Sequence, residues 1–535
     1  MTPTFPLRVA ASWQRLVAVF VTDVALLWAC AAEAGRPGWW AGAAAATVVT
    51  LAALLSWRRA PLLTLVWRLA ALRAGVRKAA PAEGKSGKLA DHHRSFDDGP
   101  MGIRAVGPHL VAVVAVDGPA HSPSVLDHHR VESLATLPLA AVAAGLRQFD
   151  VTLAGIDIVS VGARCAPKTH HFHAPVYSGR VGDHPAMGQR HTWLVVRLNA
   201  NDAVAAVLWR ESVAATLGAA AQWLAQDLTS RRCPARVLSA AEIEQVDEAL
   251  LAGTDPAGLR CGWGRLGHGG GYLHTYWVSP HDISSATIDR LWTPDTDATA
   301  VTVQLRPAPD GATAIGVLVR YHTGGPLREP PLTGLNPFTA RHDLGLKAGL
   351  VAPTGVAEVP ARPLTDGEHL HMPIGATGII IGTTPAGHPL LIDLAAPDRV
   401  AAMTIAGELA LTVQVALRAA ATGYQVLVHT NRPQRWQQAT AKGLQLVGPT
   451  GMGERLPASP RPFMVVYDQL SEPVPDGAAI TVHTVQPGEG SSADIHIEQD
   501  DARNAVIRTW AFRYRLRIDL DYERHLTALG PRRAA

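Results

Sequence analysis

Paired cysteines are missing from this chain. Its four cysteines, Cys30, Cys165, Cys233 and Cys261, show no C-x-x-C spacing in 535 residues, which argues against a disulfide framework or a zinc ribbon and suits a reducing compartment. Lysine is also scarce. Only positions 78, 85, 88, 168, 347 and 442 carry it among 48 basic residues, a bias that, with abundant Ala, Gly and Pro, reflects GC-rich coding and not mechanism. A strong net charge is lacking too: 48 Lys plus Arg against 45 Asp plus Glu leave +3, so the chain is not read as a nucleic-acid binder. No internal repeat, G-x-S-x-G or H-E-x-x-H motif occurs. What is present is 47% hydrophobic content, which excludes disordered and fibrous classes and, at this length, supplies cores for about three domains.

The positive charge is local. Residues 1–78 hold nine Arg or Lys against Asp23 and Glu33, a net +7 that leaves −4 for the remainder. Inside this basic region, residues 37–57 contain no ionisable group and as a helix reach roughly 30 Å, the hydrocarbon thickness of a bilayer. Trp39, Trp40 and Trp57 stand at its two ends, where amphipathic indoles prefer to sit, and Arg58 and Arg59 follow it. Residues 16–32 form a shorter first span, interrupted by Asp23. Arg8 and Arg15 precede the pair, Arg58, Arg59 and Arg68 follow it, and only Arg36 lies between, so the positive-inside rule puts both termini in the cytoplasm. A cleaved signal peptide is the competing reading, because Ala32-Glu33-Ala34 resembles a processing site. Asp23 and the immediate second span speak against it.

Asp23 lies inside the bilayer, where a carboxyl group calls for a polar partner on another helix or chain unless the span sits high enough to make it interfacial. Gly42, Ala43, Ala46, Thr47 and Thr50 recur at three- to four-residue intervals and let another helix approach closely. Trp13, Asp23, Gly42 and Ala46 are therefore the candidate contacts with the transmembrane helices of a partner. Next, Leu62, Leu65, Val66, Leu69, Leu72 and Val76 alternate at helical spacing with Arg68, Arg73, Arg77 and Lys78. That pattern predicts a basic amphipathic helix on anionic lipid, with Arg58 and Arg59 at its start; a plain helical extension of span two into a partner is the bland alternative.

The predicted architecture is α/β: two N-terminal transmembrane helices followed by a large mixed α/β cytosolic region in two lobes. Its parts are a tail (1–15), spans (16–32 and 39–57), the basic helix (58–82), a polar linker (83–101) and lobes at 102–350 and 351–535. In the first lobe, strands are expected at 109–116, 151–161, 191–198, 271–278, 300–305 and 314–321, and helices at 137–148, 202–229 and 239–251. The last opens with Ser239 and has Glu242 three residues on, a capping-box pattern. Beyond the Pro/Gly-rich intervals 323–337 and 353–363, strands at 378–382, 390–394, 425–429, 444–447 and 463–467 alternate with helices at 398–421 and from Pro433, which favours a layered sheet covered by helices.

Chemical motifs are weak throughout. Glu83-Gly84-Lys85-Ser86 approaches a phosphate loop, yet Ala79 replaces its first glycine and no strand precedes it. The segment 463–468 resembles the strand and acid of a Walker B element, with Gln469 following Asp468. The sequence from Gly262 to Gly267 matches G-x-G-x-x-G but follows a predicted helix, so it reads as a mobile turn anchored by Trp263. His170, His171 and His173 with Cys165, and the pairs Asp295/Asp297 and Asp519/Asp521, are the remaining metal candidates; scattered surface histidines and chance acid pairs explain them as well. No catalytic residue, cofactor or metal site is assigned.

The order of features nevertheless has a family look: two close N-terminal spans, a basic juxtamembrane helix, the strand His109-Leu-Val-Ala-Val-Val-Ala-Val116, and Trp209-Arg-Glu-Ser-Val-Ala-Ala-Thr216 leading into an Ala-rich helix. Cys261-Gly-Trp-Gly264, Gly423-Tyr-Gln-Val-Leu-Val-His-Thr430, Arg432-Pro433 and Trp436 follow. Over nearly its whole length the chain resembles the EccE family of the mycobacterial type VII (ESX) secretion machinery, most closely that of the fifth ESX locus. The resemblance implies a non-catalytic inner-membrane subunit that assembles with EccB, EccC and most directly EccD in a hexameric complex, where EccC supplies the energy. The enzyme alternative is a membrane-tethered transferase using a nucleotide or sugar nucleotide.

Overall fold

The computed structural model describes residues 7–9, 13–57, 60–73, 87–93, 99–166, 173–208, 210–354, 356–365, 367–397, 399–440, 443–448, 455–457, 459, 461–470, 473–488 and 492–528. It is a mixed α/β protein with two apolar N-terminal helices long enough to cross a membrane, Leu16–Glu33 and Pro37–Leu54, ahead of two large sheets. The two helices form one run, Trp13–Leu54, broken at Gly35. The second helix stops short of the expected position 57, because Leu55–Trp57 pairs antiparallel with Leu7–Val9. The basic helix spans Leu62–Arg73, where 58–82 was expected: Ala60–Pro61 is a short strand on Leu55–Trp57, and Arg58, Arg59, Arg77 and Lys78 lie outside the described residues, as does the side chain of Arg73.

The first sheet has thirteen strands. Its centre is His109–Val116 against Gln189–Asn199, then Gly155–Ala163, Ala298–Pro307 and Thr313–Thr323, all antiparallel. The unbroken apolar run Leu110–Val116 within this strand follows from burial on both faces. Ala112 and Val114 join the core beneath the Val213–Ser230 helix, while Val111 and Val113 join a second core with Ile243, Val246 and Leu250 of the Ala240–Leu251 helix. Because side chains alternate along a strand, a sheet covered on both sides must be apolar at every position. The Ser239 capping box is formed: its side chain accepts from the Glu242 N–H, and the Glu242 carboxylate accepts from the Ser239 N–H at 2.9 Å.

Several elements differ from the sequence reading. The 202–229 stretch is a short helix, Val204–Val207, and then Val213–Ser230, since Ser212 turns extended and caps the second helix. The 137–148 helix shrinks to Leu139–Ala144 between short strands. Part of the presumed linker, Lys88–His92, is an edge strand on Met101–Val106. The 398–421 segment is a strand, Ala401–Ala406, followed by the helix Leu409–Ala421, with Gly407 and Glu408 breaking the two.

The second sheet has twelve strands. Gln445–Val447, Gln425–Thr430, Phe463–Asp468, Ala478–Val485, Ala401–Ala406 and Ile495–Gln499 run parallel in that spatial order. Antiparallel strands complete it, ending with Pro389–Ile392 and two strands from much earlier in the chain, Pro123–Asp127 and Arg130–Ser133. The Leu409–Ala421 helix is the crossover from Ala401–Ala406 and is buried along nearly its whole length.

Candidate membrane-docking site

The two N-terminal helices fold back on each other. Gly35 makes the reversal at φ +61°, a left-handed conformation that a glycine adopts without steric cost. Past the turn, Gly42 lets the backbones close up: a Cβ there would lie 3.2 Å from both the Cys30 Cβ and the Leu27 Cα. Ala46 is buried one turn further along. Between the helices the Thr50 hydroxyl donates to the Asp23 carboxylate at 2.6 Å. Thr22 and Thr47 return their hydroxyls to Ala18 and Ala43 carbonyls within their own helices. The three threonine hydroxyls and one oxygen of Asp23 are thus satisfied inside the hairpin, while Asp23 Oδ1 is buried with no hydrogen-bond partner among the described residues.

The outer surface is apolar. Phe20, Val21, Trp28, Trp40 and Val48 are exposed, and so is Trp13, at 80%. Of the four candidate partner contacts, Asp23, Gly42 and Ala46 come together in the seam between the chain's own two helices, and Trp13 stays outside it.

The Leu62–Arg73 helix ties the hairpin to the body. Arg68 donates to the carbonyl of Thr339 at 3.3 Å, so this guanidinium reaches protein, while its neighbours Val66 and Trp67 stay exposed. Thr339 lies in a turn held on both sides: Phe338 donates its N–H to Thr275, and Ala340, left-handed at φ 59°, donates to the Trp263 carbonyl at 2.7 Å. Trp263 in turn sits in the tight turn between Arg260–Cys261 and Leu266–His268, closed by the Gly262 N–H on Arg265. The G-x-G-x-x-G stretch is therefore a β-hairpin turn. Thr50, Thr339 and Trp263 complete the site. Thr50 was legible only as a small residue, and no local signal marks Thr339.

The motifs that could have carried catalysis are bound up elsewhere. In an open parallel sheet, ligands bind outside the carboxyl ends of the strands where the order reverses. Here that edge carries Glu408 after Ala401–Ala406 and Asp468 at the end of Phe463–Asp468. Glu408 receives Arg524 and Gln499, with Arg524 Nη2 at 2.6 Å. Asp468, fully buried, receives Arg432, the Trp436 indole at 2.8 Å and the Thr430 hydroxyl. Burial alone would raise the Asp468 carboxyl, but these donors hold it below the usual carboxylate range. Asp295 accepts from Ser178, Asp519 accepts the Asp521 N–H, and His173 stands edge-on to Tyr522. His170, His171 and residues 83–86 lie outside the described residues. Among the described residues no three His, Cys, Asp or Glu side chains gather as a metal site.

Comparison with known proteins accords with this geometry. Residues 186–278 match the family model of EccE, a type VII ESX secretion system translocon. The chain is 36% identical to the ESX-5 secretion system protein EccE5 of Mycobacterium tuberculosis over 68% of its length and 95% of the relative's. It is 35% identical to EccE5 of Mycobacterium marinum, again over 95% of that protein, and 27% identical to the ESX-2 protein EccE2 of Mycobacterium tuberculosis over 62%. The chain belongs to the EccE family.

Proposed function

We propose that this protein is a non-catalytic scaffold of a type VII secretion membrane complex, seated in the inner membrane with both termini and the main body on the cytoplasmic side. It assembles with EccB, EccC and most directly EccD. The observation that carries this reading is the hairpin itself: it closes on itself through Thr50 and Asp23, leaves Asp23 Oδ1 buried without a partner among the described residues, presents an apolar outer surface and is fastened to the body through Arg68 and Thr339. Such a unit suits lateral packing against other helices, where Trp13 and the exposed indoles meet neighbours. The basic residues Arg58, Arg59, Arg73, Arg77 and Lys78 hold the body near anionic lipid, and lobes at 102–350 and 351–535 brace adjacent subunits.

The occupied carboxyl edge of the second sheet supports a structural role over a transferase. A tagged chain, purified from gently solubilised membranes with every copurifying polypeptide identified, tests the proposal. EccB, EccC and EccD are expected together. A chain recovered alone, or a body digested by protease added outside intact cells, overturns it.

A further inference from the structure

A cleft of 370 Å³ opens where the Ala174–Val181 helix meets the helices Leu409–Ala421 and Asp521–Thr527. Its floor is apolar, formed by buried Leu417 and Ala421, and its walls carry Val176 and Tyr522, 56% and 44% exposed. Two guanidinium groups face this lining. Arg180 is exposed, and Arg418 is steered by one Nη, which donates to the carbonyls of Ile380 at 2.6 Å and Ile381 at 3.1 Å. Among the described residues no carboxylate comes within ion-pairing distance of Arg418. Glu523 lines the same cleft and, with Asp519, attracts Arg418 only from beyond ion-pairing distance, so two guanidinium groups stand over an apolar surface without a carboxylate in contact with Arg418.

Burying a cation with only neutral acceptors is costly. An anion that brought its own apolar body would offset that cost and cover the floor in one step. We propose that this cleft binds a small amphipathic carboxylate, its head group on Arg180 and Arg418 and its apolar body against Leu417, Val176 and Tyr522. The volume is that of an ordinary small-ligand pocket. The same chemistry is offered by a free aryl-alkyl acid and by a polypeptide's carboxyl terminus ending in an apolar residue.

Saturation-transfer NMR on the full chain in nanodiscs separates these sources. The probes are 4-phenylbutyrate against 4-phenylbutanol, and acetyl-Gly-Gly-Phe against its C-terminal amide. Each carboxylate that fits is expected to bind at least about tenfold tighter than its neutral analogue. Binding by 4-phenylbutyrate alone identifies the free acid, and binding by the peptide identifies the chain terminus. Val176→Trp, which fills the cleft from an exposed position, should abolish the signal, and Arg180→Glu should weaken it about tenfold. Equal binding of charged and neutral probes, no binding at all, or binding unchanged by Val176→Trp overturns the proposal. None of these results bears on assembly with other secretion subunits.

Discussion

Thr50 donates its hydroxyl hydrogen to the Asp23 carboxylate across the two N-terminal helices at 2.6 Å. It joins the one acidic group of the first helix interior to a residue at a similar distance on the other side of the Gly35 reversal. Hydrogen bonds between helices in a bilayer are worth about 0.5–2 kcal/mol. Thr50→Val should therefore lower the thermal unfolding midpoint of the purified protein in mild detergent, and Thr50→Ser should restore it. Equal midpoints for all three would show that the two groups do not pair.

Gly42 stands so close to Cys30 that a second cysteine there would complete a bridge. Side chains separated as these are need only slight relaxation to reach the roughly 3.8 Å between Cβ atoms of a disulfide. Gly42→Cys should form an intramolecular disulfide with the native Cys30 on mild oxidation, seen as a two-dalton loss by intact mass spectrometry. The double variant with Cys30→Ser should not. Failure to cross-link would mean that the helices do not run back along one another in this register.

Asp468 gathers Arg432, Trp436 and Thr430 at the end of a buried strand. Removing one partner of a buried ion pair leaves the other uncompensated, so Asp468→Ala should cost on the order of 3 kcal/mol in chemical denaturation. The carboxyl is held below its usual range in the folded state. Its stabilisation is therefore complete above the unfolded-state value near 4 and is lost as pH falls through the lower folded value. The variant should show a shallower acid limb than the parent.

Asp393 behaves in the opposite sense. Burial raises its carboxyl to about 7, with Asp117 adding to the shift and Arg190 opposing it. Its contribution is full below the unfolded-state value near 4 and declines as pH rises toward about 7, because ionisation in the folded state is resisted. Asp393→Asn should flatten the stability profile between pH 4 and 7, as followed by thermal unfolding across that range. A profile parallel to the parent's would exclude this group as its source.

Sequence patterns reported some of these elements well and others not at all. His109–Val116 was legible because the seven-residue apolar run Leu110–Val116 is short and rich in β-branched valine, which favours a strand buried on both faces, and Ser239 with Glu242 marked a helix start by local hydrogen-bonding chemistry alone. Ala401–Ala406 was not, since its alanines and methionine favour a helix and only tertiary pairing with Ala478–Val485 and Ile495–Gln499 makes it a strand. At the docking site, Asp23 and Gly42 could be singled out from intrinsic cost and size. Their neighbours Thr50 and Cys30 follow only once the reversal at Gly35 is known, and the Arg68 contact spans 271 positions, far beyond any periodicity.

Val125 pairs with Leu390, and through that pairing the second sheet draws two of its strands from the early part of the chain. On the ribosome, the earlier partner emerges long before the later one exists. At ordinary translation speeds the wait is on the order of tens of seconds, during which Pro123–Asp127 and Arg130–Ser133 have no sheet to join. The nascent protein must shelter that hairpin, by chaperone or by transient contacts, until the last third of its synthesis is under way.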